Sequence, residues 1–245
     1  MPRDADPPHD LPYVREELGR RSLHFSDAAI QSRMDLLRPD ALVLEYTRTM
    51  MGLLMFVPEP AHLAIIGLGG GSLVRFCQRH LPRTIVTAVE HNPHVIALRE
   101  RFGLPPDGAR LRVVHDDGAR FIAATPDRFD AILVDAFDAE GMPESLGTRR
   151  FYDDCVDALR PGGMLVANLH AGHPLLDVHI DRLRSAVDAP VLRVDDRDGT
   201  NSVVFARRGE PLKASRRIAP AAAELFDAWS RIAHALEALR RRSSG

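Results

Sequence analysis

Cysteine is scarce. Cys77 and Cys155 are the only two in 245 residues. Both fall inside helix-like stretches without a paired spacing, so neither a disulfide framework nor a thiolate zinc site is indicated, and they read as reduced core thiols. Long apolar runs are also missing. The longest, Met50 to Val57, falls far short of the roughly 20 residues needed to cross a bilayer, so no membrane partner is expected. The opening MPRDADPPHD is polar and rich in proline, without the hydrophobic stretch of a secretory leader, which makes a cytoplasmic location the expectation. An excess of either charge is absent as well. Lys+Arg 32 against Asp+Glu 34 leaves a net charge of -2, and without a global basic field nucleic acid is not an expected partner. Arg207, Arg208, Lys213, Arg216 and Arg217, then Arg240 to Arg242, have no interleaved aromatics to stack on bases, and read as solvated surface and helix-end charges.

Apolar material is plentiful. Hydrophobic residues make up 45% of the chain, which suits one sheet-centred core of this length. The proline-rich start places a mobile tail over 1–20. Over 21–57, Ile30, Met34 and Leu36, then Leu42, Val43 and Leu44, flank the turn-forming Arg38-Pro39-Asp40. They predict a reduced hairpin or helix-plus-strand element, followed by a Met- and Leu-rich helix over 47–57 that Pro58 stops. Over 58–210, short β-rich runs end at Gly67, Glu90, His115, Asp135 and His170. Helix-length stretches follow at 71–80, 93–102, 117–125, 148–159 and 174–187. This alternation predicts a parallel sheet with helices on both faces. Two further strands, APVLRVD and NSVVFARR, are joined only by residues 196–200, too short a link for a βαβ crossover, so the seventh strand must hairpin back antiparallel. Over 211–245, Leu225, Trp229, Ile232, Leu236 and Leu239 recur at spacings of 4, 3, 4 and 3. They predict an amphipathic helix docked on its own domain, with a homodimer seam as the competing use of that stripe.

The most informative segment is HLAIIGLGGGSL, residues 62–73: a buried strand, a glycine-rich turn and a helix. Gly67, Leu68, Gly69 and Gly71 in such a turn let the backbone approach a ligand, and the helix N-terminus offers free N–H groups beside it. Glu90 ends the next strand 23 residues after Gly67, where a carboxylate can accept hydrogen bonds from both hydroxyls of a ribose. Asp117 and Gly118, past the third strand in HDDGARF, sit where an adenine amine would lie. Each of these alone reads as a turn or a helix cap; in register at successive strand ends they predict a nucleoside site. In FDAILVDAFDAEGMPESLGTRRFY, Asp135 closes the fourth strand and Asp138 lies three residues on, a pair able to hold a cation and take a proton from an amine. His170 and His173, in HAGH, lack a third ligand at a usable spacing, so no metal is expected.

The strand order resembles the Rossmann-like fold of class I S-adenosylmethionine-dependent transferases, a seven-stranded α/β sheet with an antiparallel last strand; NAD-type domains lack the terminal hairpin. Within that class IIGLGGGSL, AVEHNPHVI and the segment from Phe129 to Tyr152 resemble the polyamine aminopropyltransferases, the spermidine and spermine synthases, over about Gln31 to His170. The family also typically has an apolar residue where this chain has Ile65, two positions before the first glycine; ordinary methyltransferases usually have an acidic one. The resemblance implies decarboxylated S-adenosylmethionine, or S-adenosylmethionine itself, as group donor, and a di- or polyamine as acceptor. It implies that Glu90 binds the ribose, Asp117 the adenine, that Asp135 is the catalytic base, and that Asp138, Gln31 and Tyr46 contact the polyamine. The chain departs from the family at Gly70, where an Asp normally grips the donor amine, and at Arg48, where a Glu is usual. It also lacks the aromatic and proline-rich segment that closes the polyamine pocket. Methyl transfer to a small molecule and a non-catalytic nucleoside-binding role are therefore the alternatives, and NAD is the rival ligand.

Overall fold

The structure, a computed structural model, describes residues 9–26, 30–136, 142–217 and 222–243. Strands β1 (Tyr13–Glu17), β2 (Arg20–His24) and β3 (Ser32–Asp35) form an antiparallel sheet. Of the expected tail over 1–20, residues 13–20 thus fall in the sheet and its first turn, while 1–8 lie outside the described residues. Leu18 and Gly19 both take positive φ, 48° and 72°, the geometry of a two-residue hairpin turn. Leucine is not a residue that sequence rules place in a left-handed turn, and Tyr13 gains a stacked contact with His24, ring centroids 5.2 Å apart.

Helix α1 (Glu45–Met50) then tightens into a 3₁₀ segment, Met51–Met55, in place of one continuous helix. The break coincides with Gly52, where a Cβ would collide with Ile232 of the C-terminal helix. The main sheet follows: β4 (His62–Ile66), α2 (Ser72–His80), β5 (Ile85–Glu90), α3 (Pro93–Ala97), β6 (Leu111–His115), α4 (Gly118–Ala123), β7 (Phe129–Val134), α5 (Glu144–Gly147), α6 (Arg149–Ala158), β8 (Leu159–His170), α7 (Leu176–Val187), β9 (Leu192–Asp195), β10 (Asn201–Arg207) and α8 (Ala222–Ser243). Its order is β6-β5-β4-β7-β8-β10-β9. Strands β4 to β8 pair in parallel, while β10 lies antiparallel between β8 and β9.

Alternate residues of the central strands feed two cores. Leu63, Ile65, Leu133, Val166 and Phe205 pack on one face with Leu225, Ile232 and Leu236 of α8. Ala64, Ile66, Ile132, Val134 and Leu165 pack on the other, with Phe151, Tyr152 and Leu183 of α6 and α7. Burial on both faces explains why these strands read as continuous apolar runs. Helix α8 lays its stripe on its own domain, burying Leu225, Ala228, Ile232 and Leu236. Cys77 and Cys155 are buried free thiols, and burial pushes the Cys77 thiol up to about 12. No described helix is long and apolar enough to cross a membrane.

Candidate active site

From β4 the chain winds outward through β5 and β6, then returns to place β7 on the other side of β4. The reversal opens a crevice at the carboxyl ends of β4 and β7, where open α/β sheets take their ligands. A cavity of about 400 Å³ occupies it, and its walls include Gln31, Gly67, Leu68, Gly69, Glu90, Asp117, Gly118 and Asp135. Gly71 and Tyr46 are not among its lining residues; Gly71 caps α2 and Tyr46 is hydrogen-bonded to Asp135. Asp138 falls outside the described residues.

The floor is built by backbone. Gly67 donates to the Val89 carbonyl at 2.8 Å, and Asp135 donates to the Ile66 carbonyl at 2.8 Å. Gly67 takes φ +96°, and a Cβ there would drive into the Asp135 carbonyl. Only glycine lets the two strand ends close up in this way. Gly71, also left-handed, caps α2. Arg75 of α2 is buried, and its guanidinium donates to the carbonyls of Gly70, Phe102 and Pro39. It clasps the glycine turn from behind, and burial pulls its pKa down to about 10.

Glu90 faces the turn. Its Oε2 accepts the Leu68 N–H at 2.9 Å and its Oε1 the Asn92 N–H at 2.9 Å. Burial alone would raise its pKa, but the His91 side chain and these two amides outweigh it and hold the carboxyl below its ordinary value. Glu90 is thus a fixed anion with lone pairs to spare. Asp117 caps α4, its Oδ1 accepting the Arg120 N–H at 2.8 Å. It therefore serves as a helix cap and a cavity wall together.

Asp135 follows β7. Its Oδ1 accepts from Asn168 Nδ2 of β8 at 3.0 Å, and the Tyr46 hydroxyl is hydrogen-bonded to it. Burial pushes its pKa up to about 6, against the lowering effect of those two partners. The Tyr46 hydroxyl is pushed up in turn, by burial and then by the Asp135 charge. Gln31 contributes from the segment before β3, held by its N–H to the Leu23 carbonyl at 2.9 Å, and the buried Ser32 lies within 3.3 Å of Ser72 Oγ. His9 and Asp10 line the outer wall, where the Asp10 carbonyl accepts from Asn92 Nδ2 at 2.8 Å.

Sequence reasoning missed Asn168, Arg75 and Asn92. Asn168 left a signal, a lone amide inside the apolar run MLVANL, and so did Arg75, a cation inside LVRFC. Arg48 stays out of the cavity. It donates to the Leu42 and Val43 carbonyls at 2.6 and 3.0 Å and fixes the entry to α1. Among the described residues no group of three or more His, Cys, Asp or Glu could hold a metal ion.

The family model described as "Spermine/spermidine synthase domain" matches residues 44–181. A polyamine aminopropyltransferase of Chromobacterium violaceum is 40% identical over 199 residues, covering 81% of this chain and 76% of that protein. A probable spermidine synthase from Corynebacterium glutamicum superposes with a TM-score of 0.71 at 21% identity, over 87% of this chain and 81% of that one. A spermidine synthase in complex with the transition-state analogue AdoDATO gives a TM-score of 0.59 at 22% identity, over 80% and 73% of the two chains.

Proposed function

The chain belongs to the spermine/spermidine synthase family, and on that premise we propose that it moves an aminopropyl group from decarboxylated S-adenosylmethionine to a di- or polyamine. The observation that carries this reading is the half-buried Asp135, bonded to Asn168 and Tyr46 beside the glycine turn. The donor is a substrate here, and the cavity suits its nucleoside part. The turn has no side chain at Gly67 or Gly69 to block a close approach, and Glu90 offers ionised oxygens that its own amides do not saturate. Glu90 would take the ribose hydroxyls and Asp117 and Gly118 the adenine edge, while Leu68 and Gly69 shape the wall and Gly71 ends the turn at the start of α2.

An alkylamine is protonated in water and its lone pair is then unavailable. Asp135 attracts the ammonium and accepts its proton, for which a pKa raised to about 6 suits a carboxylate that must be ionised near neutrality and still basic. The freed lone pair forms a C–N bond to the donor methylene as the C–S bond breaks. The departing electron pair neutralises the sulfonium, and methylthioadenosine leaves as a thioether. Holding both reactants in line converts a bimolecular displacement into a local one. Gln31, Tyr46 and, by its place three residues after Asp135, Asp138 are the proposed acceptor contacts. Methyl transfer is not favoured by the relatives.

Incubation with decarboxylated S-adenosylmethionine and a diamine should release methylthioadenosine. Release of S-adenosylhomocysteine from S-adenosylmethionine instead would assign methyl transfer, and neither product would leave a binding protein.

A further inference from the structure

Beyond Asp135, the carboxyl edge of the sheet carries a second buried acid. Strand β9 runs in the same direction as β8, since both pair antiparallel with β10, so the turn after Asp195 lies on the edge where β7 ends. In that turn Asp196 is 7% exposed. The Asn201 side chain hydrogen-bonds the carboxylate, yet its Oδ1 has no donor among the described residues. Asn168 is in the same position: its Nδ2 is turned to Asp135, and its buried Oδ1 has no partner among the described residues. An enclosed acceptor without a donor costs stability, and such groups in a folded protein ask for a missing partner.

The surroundings define that partner's charge. Tyr46 lies in the fields of both Asp135 and Asp196, and Asp196 in those of Glu45 and Asp198. The cation facing this cluster is Arg231, 3.0 Å from Glu45 and donating to the Asp195 carbonyl and Thr49 Oγ1. The Arg197 side chain is turned away into a two-pronged pair with Asp227, at 2.6 and 2.7 Å, while its backbone N–H donates to Glu45 Oε1 at 3.3 Å. Burial and the Glu45 charge together push the Asp196 carboxyl up to about 6, so a cation arriving there would restore its ionisation. Arg231 Nε is itself a buried donor without a partner among the described residues, against two such acceptors, Asn168 Oδ1 and Asp196 Oδ1, and the anions Asp135, Asp196, Glu45 and Asp198 outnumber the one cation, Arg231, named with them. A diamine that reacts at one nitrogen keeps the other as an ammonium, and that group needs an anion of its own.

We propose that Asp196, with Glu45 beside it across Tyr46 from Asp135, binds the remote ammonium of the acceptor amine. This rests on the aminopropyl-transfer reading and names a specificity residue for it.

The test is calorimetric titration of the full chain, loaded with methylthioadenosine, with 1,4-diaminobutane and with butylamine, which has the same carbon chain and no second ammonium. Asp196→Asn should weaken diamine binding about ten- to a hundred-fold, the range for a hydrogen bond to a charged group, and leave butylamine within a factor of three. It should also leave the melting temperature unchanged or raised. Asp196→Ser, which lacks the carboxylate in a smaller volume, should behave alike. Equal losses for both amines, an unchanged diamine affinity, or lowered melting with loss of methylthioadenosine binding in both variants would each overturn the proposal and make Asp196 structural. Methylthioadenosine production by the unaltered protein is scored separately, so a failed transfer reaction and a failed subsite give different results.

Discussion

Asp135→Asn should make this protein more stable and nearly inactive. The side chain keeps its shape, and the new amide can still accept from Asn168 while its own N–H₂ donates to the Tyr46 oxygen. What disappears is the charge. The Asp135 carboxyl titrates near 6 in the fold against 3.8 for an unperturbed Asp. A shift of that size corresponds to about 3 kcal/mol at most, and because the side chain keeps some contact with solvent in the cavity about half of it is the better expectation after screening. A folded-state pKa raised above the unfolded one means that the protonated acid adds stability below 3.8, and that this stability is lost as pH rises through about 6. At pH 8 the parent protein therefore carries the full cost of the ionised group, and the variant does not. With roughly 2–4 °C per kcal/mol for a chain of this size, the variant should melt about 3–6 °C higher at pH 8, with the gap closing toward pH 4. Removing a general base typically lowers the rate about 10²- to 10⁴-fold, while methylthioadenosine should still bind within a few-fold. Differential scanning fluorimetry across pH and a methylthioadenosine release assay read both effects. A variant that melts lower and turns over at the parental rate would refute the argument and make Asp135 a strand cap.

Three further outcomes follow from the same geometry. Transfer activity should fall as pH drops through about 6, where Asp135 and Asp196 both protonate; a steady-state pH profile that stays flat down to pH 5 would contradict this. Glu90→Gln keeps one acceptor for the Leu68 and Asn92 amides and loses the charge, so donor-product affinity should drop about ten-fold or more and stability by about 1–3 kcal/mol, both measurable by calorimetry and urea titration. Gly67→Ala must strain a left-handed backbone and push the Asp135 carbonyl away. It should cost at least about 1–3 kcal/mol and lower methylthioadenosine binding, and a variant with parental melting would show that the turn can yield to a Cβ at no cost.

The legible parts of this fold are those governed by periodicity and by backbone constraint. The continuous apolar runs marked β4 to β8, the five-residue link at 196–200 required a hairpin, and the α8 stripe marked a docked helix; all depend on residues close in sequence. The β1–β2 hairpin was hidden because its turn uses Leu18 at positive φ, against the usual preference, and because a short antiparallel sheet with half-exposed strands has little apolar alternation to display. The site divided in the same way. Glycines and carboxylates at strand ends stood out as Gly67, Glu90, Asp117 and Asp135. Asn168 and Arg75 did not, since their roles depend on which strand lies beside which, and the pairing of β8 with β7 is a long-range fact.

The two central carboxylates show how that neighbourhood sets chemistry. Glu90 and Asp135 end strands on either side of β4 and face one cavity, yet their acidities move in opposite directions. Glu90 is buried among donors: two backbone N–H groups and the His91 ring keep it ionised below its ordinary value. Asp135 has only an amide and a phenol, both neutral, and burial prevails. A carboxylate kept ionised can hold hydroxyl groups through a reaction without taking their protons. One lifted toward neutrality can take a proton from an amine held against it. Divergent acidity between neighbouring acids is a physical basis for assigning separate roles, and here it gives the proposed ribose contact to Glu90 and the proposed base to Asp135. The assignment depends on the donors around each group, because both side chains are simple carboxylates at the ends of parallel strands.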